Sequence, residues 1–152
     1  MRDLVSSATQ RLLIVSPYLG PAGMTMLRGA MAVSAEQGAW IRFVTGDLAD
    51  VEGANRQALA VLVRGVEGRL IRQRLRVLTS STEFPVLLHA KIVVADGRRG
   101  YLGSANLSGR ALDENFEVGT ALAANQAKSL DDLVAYLEAQ GLLVDRTDAV
   151  FG

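Results

Sequence analysis

The only histidine of this chain, His89, stands two residues before Lys91, one of just two lysines. Asp96 follows, and then Gly103, Ser104 and Asn106 in the order Gly-Ser-x-Asn. These residue types suit the handling of a phosphate without a metal. A neutral imidazole attacks phosphorus, while an ammonium, an amide and a hydroxyl hold the phosphoryl oxygens. A lone histidine on a strand is more often a satisfied core residue. A lysine on the same face makes that burial costly unless an anion is present, which tips the reading toward chemistry.

The spacing predicts how these side chains meet. Leu87 to Ala95 is apolar and β-branched, which reads as a buried strand with His89 and Lys91 on one face. Asp96-Gly97 is a turn signal, and Gly100 to Gly103 resumes an extended run. A hairpin centred near Gly97 and Arg98 sets Lys91 opposite Ser104 and His89 opposite Asn106. A slip of one residue changes the partners but keeps the neighbourhood. Gly103, without a Cβ, lets a substrate or a neighbouring backbone come close. Downstream, Asn115, Glu117 and Gly119 alternate with Phe116, Val118 and Thr120, the pattern of a strand with one apolar face. From there the Glu117 carboxylate can accept a hydrogen bond from one ring nitrogen of His89 and leave the other free. Parity turns Asp96 to the opposite face, so it reads as structural, with an arginine as its candidate partner. Ser104 reads equally as a turn hydroxyl, and Glu114 as a surface residue.

His89 to Asn106 resembles the HxKxxxxDxxxxxxGSxN signature of the phospholipase D superfamily, and Asn115-Phe116-Glu117 resembles its downstream Asn-x-Glu. With a single copy of the motif, the chain is similar to the small nucleases of that superfamily, which build one active site from two identical chains. A looser likeness is to the phospholipase D-like component of the DISARM anti-phage system. The resemblance implies a metal-independent phosphodiesterase acting on nucleic acid, DNA before RNA, through a phosphohistidine. It implies His89, Lys91, Asn106, Ser104 and Glu117 as catalytic residues, and Asp96 and Gly103 as structural members of the motif. It implies no cofactor and no metal. Two histidines are needed and the chain owns one, so a two-fold homodimer with the site on its axis is expected. Two other readings stand beside this one: a nucleic-acid-binding subunit of a phage-defence complex with protein partners, and a phospholipid phosphodiesterase.

Composition bounds the rest. At 152 residues, with a hydrophobic fraction of 49%, the chain reads as one domain, residues 1–152, with a substantial core. It enters its first element at once, which leaves room for trimmed upstream sequence. No apolar run reaches the roughly 20 residues that span a bilayer, and no signal peptide is legible, so a cytoplasmic protein without membrane contact is expected. The absence of cysteine excludes disulfides and thiolate metal sites, and a single histidine excludes a multi-histidine zinc site within one chain. Net charge is zero, which advertises no bulk attraction to nucleic acid. The arginines are nonetheless clustered. Arg64, Arg69, Arg72, Arg74 and Arg76 share a short window, open to two readings: phosphate contacts or a solvated helix face. Arg98 and Arg99 lie in the hairpin turn and read, with Asn115, as substrate-binding.

The elements that must position these residues alternate. A short opening helix carries Leu4, Val5 and Ala8, and a strand runs from Leu12 to Ser16, stopped by Pro17. A helix through Leu27, Met31 and Ala35 ends at Gly38, and a strand spans Trp40 to Thr45. Asp47 or Asp50 is a candidate cap for a helix with Leu59, Leu62, Val63 and Val66 inward. A strand from Leu75 to Thr79 and a loop over Ser80 to Pro85 lead into the motif hairpin. Glu117 to Ala123 forms the last strand. Ser129 and Asp132 signal a helix start with Leu130, Leu133, Val134 and Leu137 inward, closing near Gly141. Trp40 and Tyr18 read as packing residues, with Tyr18 and the Ser16-Pro17 step also candidates to line a cleft. The order implies an α/β fold: a mixed β-sheet with helices on both faces, of the phospholipase D/nuclease kind.

Overall fold

A computed structural model describes all residues except Asp47, Val51, Arg110, Leu112 and Asp113. A seven-stranded mixed sheet organises the chain. Its strands are β1 (Arg11–Val15), β2 (Trp40–Val44), β3 (Leu75–Ser80), β4 (Ile92–Ala95), β5 (Arg99–Gly103), β6 (Gly119–Leu122) and β7 (Leu143–Asp145), in spatial order β6-β5-β4-β1-β2-β3-β7. β1, β2 and β3 are parallel neighbours, and every other pairing is antiparallel. The helices are α1 (Arg2–Ser6), α2 (Pro21–Glu36), α3 (Ala54–Leu62), α4 (Gly65–Arg72), α5 (Ala124–Ala139) and α6 (Thr147–Phe151).

Helices cover both faces, as the alternation of elements requires. Leu12, Ile14, Ile41, Phe43, Val77 and Val93 point to one face, where α1 to α4 bury Val5, Met24, Met31, Leu59 and Ile71 against them. The alternate residues Leu13, Val15, Val44, Leu78, Ile92 and Val94 point to the other, under Ala127 and Val134 of α5. Strands buried on both sides read as continuous apolar runs, which is why β1 and β4 show no alternation.

Several local expectations are corrected. The helix expected through Val66 is two helices: α3 ends at Leu62, Gly65 turns the chain with φ +73°, and Val66 is exposed. Gly68 makes this possible, since a Cβ there would fall 2.1 Å from the Val63 carbonyl carbon. Helix α5 begins at Ala124 rather than near Ser129, capped by the Gln126 side chain, which accepts from the Ala123 N–H at 2.9 Å; Leu133 faces solvent. Asp50 accepts from the Glu52 N–H just ahead of α3 but does not cap it, and Asp47 lies outside the described residues. Trp40 and Tyr18 are exposed rather than packed, with the Arg74 guanidinium over the Trp40 ring. Strand β7 and helix α6, unforeseen, close the far edge of the sheet on β3. Among the described residues no helix is long and apolar enough to cross a membrane.

Candidate active site

The expected strand over Leu87 to Ala95 forms only from Ile92 onward. Its neighbour explains why. β1 pairs with β4 only as far as Val15 opposite Ile92, and Pro17 follows two residues later. Without a partner on the β1 side, the segment before Lys91 leaves the sheet, with Leu87 at 92% exposure and His89 exposed. Lys91, at its root, is only 7% exposed. The Lys91 ammonium donates to the His89 carbonyl at 2.8 Å and lies 3.4 Å from Nδ1 and 3.3 Å from Nε2 of the same ring. Near-equal distances to both nitrogens place the charge against the ring and not in line with one lone pair. Among the described residues no carboxylate pairs with Lys91. A buried ammonium held by one carbonyl and a ring is incompletely compensated, and an anion completes it.

At the other end of the hairpin, Asp96 and Gly97 form the turn with φ +56° and +65°, and the Arg98 N–H donates to the Ala95 carbonyl at 3.0 Å. Both central residues thus take the positive φ of a tight hairpin turn. Among the described residues no arginine side chain pairs with Asp96. Its carboxylate accepts the backbone N–H groups of Thr9 (3.0 Å), Gln10 (2.8 Å) and Arg11 (2.9 Å), and the Thr9 hydroxyl at 3.0 Å. Burial works to raise the Asp96 pKa, but these donors outweigh it and hold the carboxyl below its ordinary value. The residue locks the hairpin tip to the start of β1.

Because Asp96 joins Gly97 and Arg98 in the turn, Ile92 pairs with Leu102, and the Gly103 N–H donates to the Lys91 carbonyl at 3.2 Å. Gly103, not Ser104, is therefore opposite Lys91, a slip of one residue. A Cβ on Gly103 would sit 2.1 Å from the Tyr101 hydroxyl oxygen and 2.7 Å from the Val118 carbonyl oxygen. The close approach is by protein, namely the Tyr101 ring and the backbone ahead of β6. Ser104 donates a short hydrogen bond to Glu117 Oε2 and accepts the Val118 N–H at 3.0 Å; Asn115 Nδ2 donates to Glu117 Oε1 at 3.3 Å. Both Glu117 oxygens are occupied in this way, and no hydrogen bond to His89 forms among the described residues. The strand expected from Glu117 starts at Gly119, and Phe116 and Val118 are 95% and 63% exposed, so the expected apolar face is bare. Asn106 follows Ser104 toward the end of β1, and its Oδ1 is buried without a hydrogen-bond partner.

Arg98 and Arg99 do not join the site. They sit at the turn end of β4, separated from the Lys91 end by the strand's length, roughly 10 Å at 3.3 Å per residue. Of the arginines at 64–76, Arg72 lies over Phe151, Arg74 over Trp40, and Arg76 pairs with Glu138 and Asp145. Two side chains carry more of the local architecture than the sequence suggested. The Ser16 hydroxyl donates to the Tyr18 carbonyl at 2.8 Å and accepts the Leu107 N–H at 3.2 Å, anchoring the chain one residue beyond Asn106. Its position at a strand end before proline was the available signal. Asn55 accepts from Leu19 N–H at 2.7 Å and donates to the carbonyls of Pro17 (2.8 Å) and Gly46 (2.7 Å), and nothing in its sequence context announces this. Among the described residues no three carboxylates, histidines or cysteines gather as a metal site would require.

Comparison with known proteins bears on the family and the fold. The family model described as "Cardiolipin synthase, PLD-like domain" matches residues 1–139. The chain is similar in fold to the phospholipase D family member Nuc from Salmonella typhimurium, with a TM-score of 0.66 and 17% identity over 95% of this chain and 86% of that one. It is similar also to NucT from Helicobacter pylori, with a TM-score of 0.63 and 16% identity over 95% of this chain and 87% of that one. No curated protein matches.

Proposed function

This chain belongs to the phospholipase D superfamily, and from that premise we propose that it is a metal-independent phosphodiesterase of nucleic acid, working as a homodimer with both His89 rings at one phosphate. The observation that carries the reading is the buried Lys91 ammonium, with no carboxylate partner among the described residues, held against the exposed His89 ring. A phosphate brought to the ring neutralises that charge.

The neutral His89 of one copy attacks phosphorus, forming a P–N bond as the ester P–O bond breaks. The departing oxygen takes a proton from the imidazolium of His89 in a second copy. That ring, now neutral, takes a proton from water, and the hydroxide attacks phosphorus and expels the first histidine. Lys91 and Asn106 hold the phosphoryl oxygens through the two steps. Ser104, tied to Glu117, positions the loop that carries Asn106, a narrower part than direct contact with His89. Exposed Leu87, two residues before His89, and exposed Phe116, next to Glu117, supply apolar surface for the second copy to cover. DNA in the cytoplasm is the expected substrate.

Cleavage of a labelled oligonucleotide tests this. Activity should persist in EDTA and fall by on the order of 10⁴ or more in His89→Ala. After subunit exchange between wild type and His89→Ala, activity should follow the square of the wild-type fraction. A linear dependence would remove the shared site, and sensitivity to EDTA would remove the mechanism. The same exposed Phe116 and Leu87 also fit a second reading, a binding subunit seated on another protein of a phage-defence complex. Chains that bind DNA and never cut it would favour that one.

A further inference from the structure

The loops that leave the carboxyl ends of β1, β2 and β3 enclose a groove of about 800 Å³ beside the segment that carries His89. In a sheet with parallel neighbours such loops diverge, and the crevice between them is a usual place for a ligand. The floor is fixed from below by Asn55, whose amide binds the backbone after both β1 and β2. The lining includes Leu87 and Leu88, which lead directly into His89.

Its charge is one-sided. Arg56 and Arg146 line it, and no carboxylate does among the described residues. The Arg56 guanidinium is half-buried and donates to the Leu48 carbonyl at 3.2 Å and, by a short bond, to the Ala149 carbonyl. Carbonyls orient a guanidinium without neutralising it, so a preorganised positive charge faces the cavity. Tyr18, at 61% exposure, adds an aromatic ring to a lining of aliphatic side chains, the hydroxyls of Thr79 to Thr82 and the two arginines.

We propose that this groove binds the single-stranded segment of nucleic acid flanking the scissile phosphate, with Arg56 and Arg146 on successive phosphates and a base stacked on Tyr18. The inference rests on the phosphodiesterase reading and deepens it by naming the form of the substrate. Paired cations recognise a polyanionic backbone, and a base offers its face to a tyrosine only when it is unstacked, which a duplex prevents.

The test is fluorescence anisotropy on the full chain carrying His89→Asn, which binds without cutting. Its probes are a labelled single-stranded oligonucleotide, the matching duplex, and vesicles of phosphatidylglycerol. Single strands should bind more tightly than duplex. Arg146→Ala should weaken single-strand binding several-fold and lower the slope of log K against log salt by about 0.7, the share of one phosphate. Tyr18→Ala should weaken it about tenfold, and Tyr18→Phe should restore it. Arg69→Ala, an exposed arginine on α4, controls for bulk charge and should leave affinity unchanged. Both groove residues are exposed, so the variants should melt like the parent. Unaltered affinity in Arg146→Ala and Tyr18→Ala overturns the proposal. So does a loss confined to vesicle binding, which would make the groove a lipid site. Because binding is read on chains that do not cleave, failure of the groove and failure of the His89 chemistry are scored separately.

Discussion

The two ends of the parallel strands treat positive charge in opposite ways. At the amino ends, Arg11 meets Asp131 at 2.6 Å, Arg42 meets Asp131 and Glu138 at 3.6 and 3.7 Å, and Arg76 meets Glu138 and Asp145 at 2.7 and 2.9 Å. At the carboxyl ends, Lys91 and Arg56 have no carboxylate among the described residues, and neither has Arg146, which lies beside Val77 in mid-β3 and lines the groove. The formal net charge of zero conceals this division. Charge at one end closes on itself and holds α5 to the sheet, while charge at the other is left for an anion from outside. The β4–β5 hairpin repeats the contrast on a smaller scale. At its tip the Asp96 carboxylate is fully occupied by donors, and at its open end lie an orphaned Asn106 oxygen and an uncompensated ammonium.

If that contrast is right, substitutions at the two ends should separate function from stability. The largest effect is expected at the open end. Lys91→Met should reduce cleavage by about 10²–10³, the usual loss for a charge-stabilising group, and leave the melting temperature unchanged or higher. Lowered stability there would mean that Lys91 is a structural residue. Asn106→Ala should lose about 10² in rate with little change in KM. At the hairpin tip the outcome should invert. Asp96→Ala should cost on the order of 2–3 kcal/mol in denaturant unfolding, with near-normal turnover per folded molecule. Asp96→Gly relieves the positive φ but not the lost acceptor, so it should recover only a small part of that loss.

Acid should act on the closed regions as well. Burial works to raise the Asp145 pKa too, but Thr147 and Arg76 outweigh it, so Asp145, like Asp96, titrates below its ordinary 3.8. A depressed folded pKa adds stability above the unfolded value that is lost as pH falls through the folded one. The contribution should therefore be constant down to about pH 4 and fade below it, and Asp96→Asn should flatten that decline in a thermal-melt series. The smallest effect is expected from Arg11→Ala. Arg11 is about half exposed, and solvent screens its pair with Asp131, so a loss under about 1 kcal/mol is expected.

The residues that gather at the site were legible because they lie on one local hairpin, where strand parity and a turn signal suffice. What the sequence hid is non-local. Asp96 is held by Thr9, Gln10 and Arg11, which lie far away in the chain, so its true partners left no pattern around it. The length of β4 depends on where β1 stops pairing, and an apolar Leu87-Leu88 looks the same on a strand or off one. The register slipped by one residue because Asp96 joins Gly97 and Arg98 in a three-residue turn, where a centre between Gly97 and Arg98 implies two. Arg98 and Arg99 were drawn to the site by nearness in sequence, although a hairpin carries its turn away from its open end. The fold class followed from the order of elements, whereas β7 is too short to show periodicity. The groove is assembled from loops that only the sheet brings together.

The Tyr101 ring lies where a Cβ of Gly103 or of Gly119 would be, 2.1 Å from the nearest ring carbon in the second case. It works as a spacer laid across two adjacent strands, and each glycine is a notch cut to receive it. An alanine at either notch would lever the outermost strand away and drag Glu117 and Ser104 with it. Inactivation by Gly103→Ala would thus report a displaced ring, not a blocked substrate, and trimming Tyr101 in the same chain should let the strand settle back.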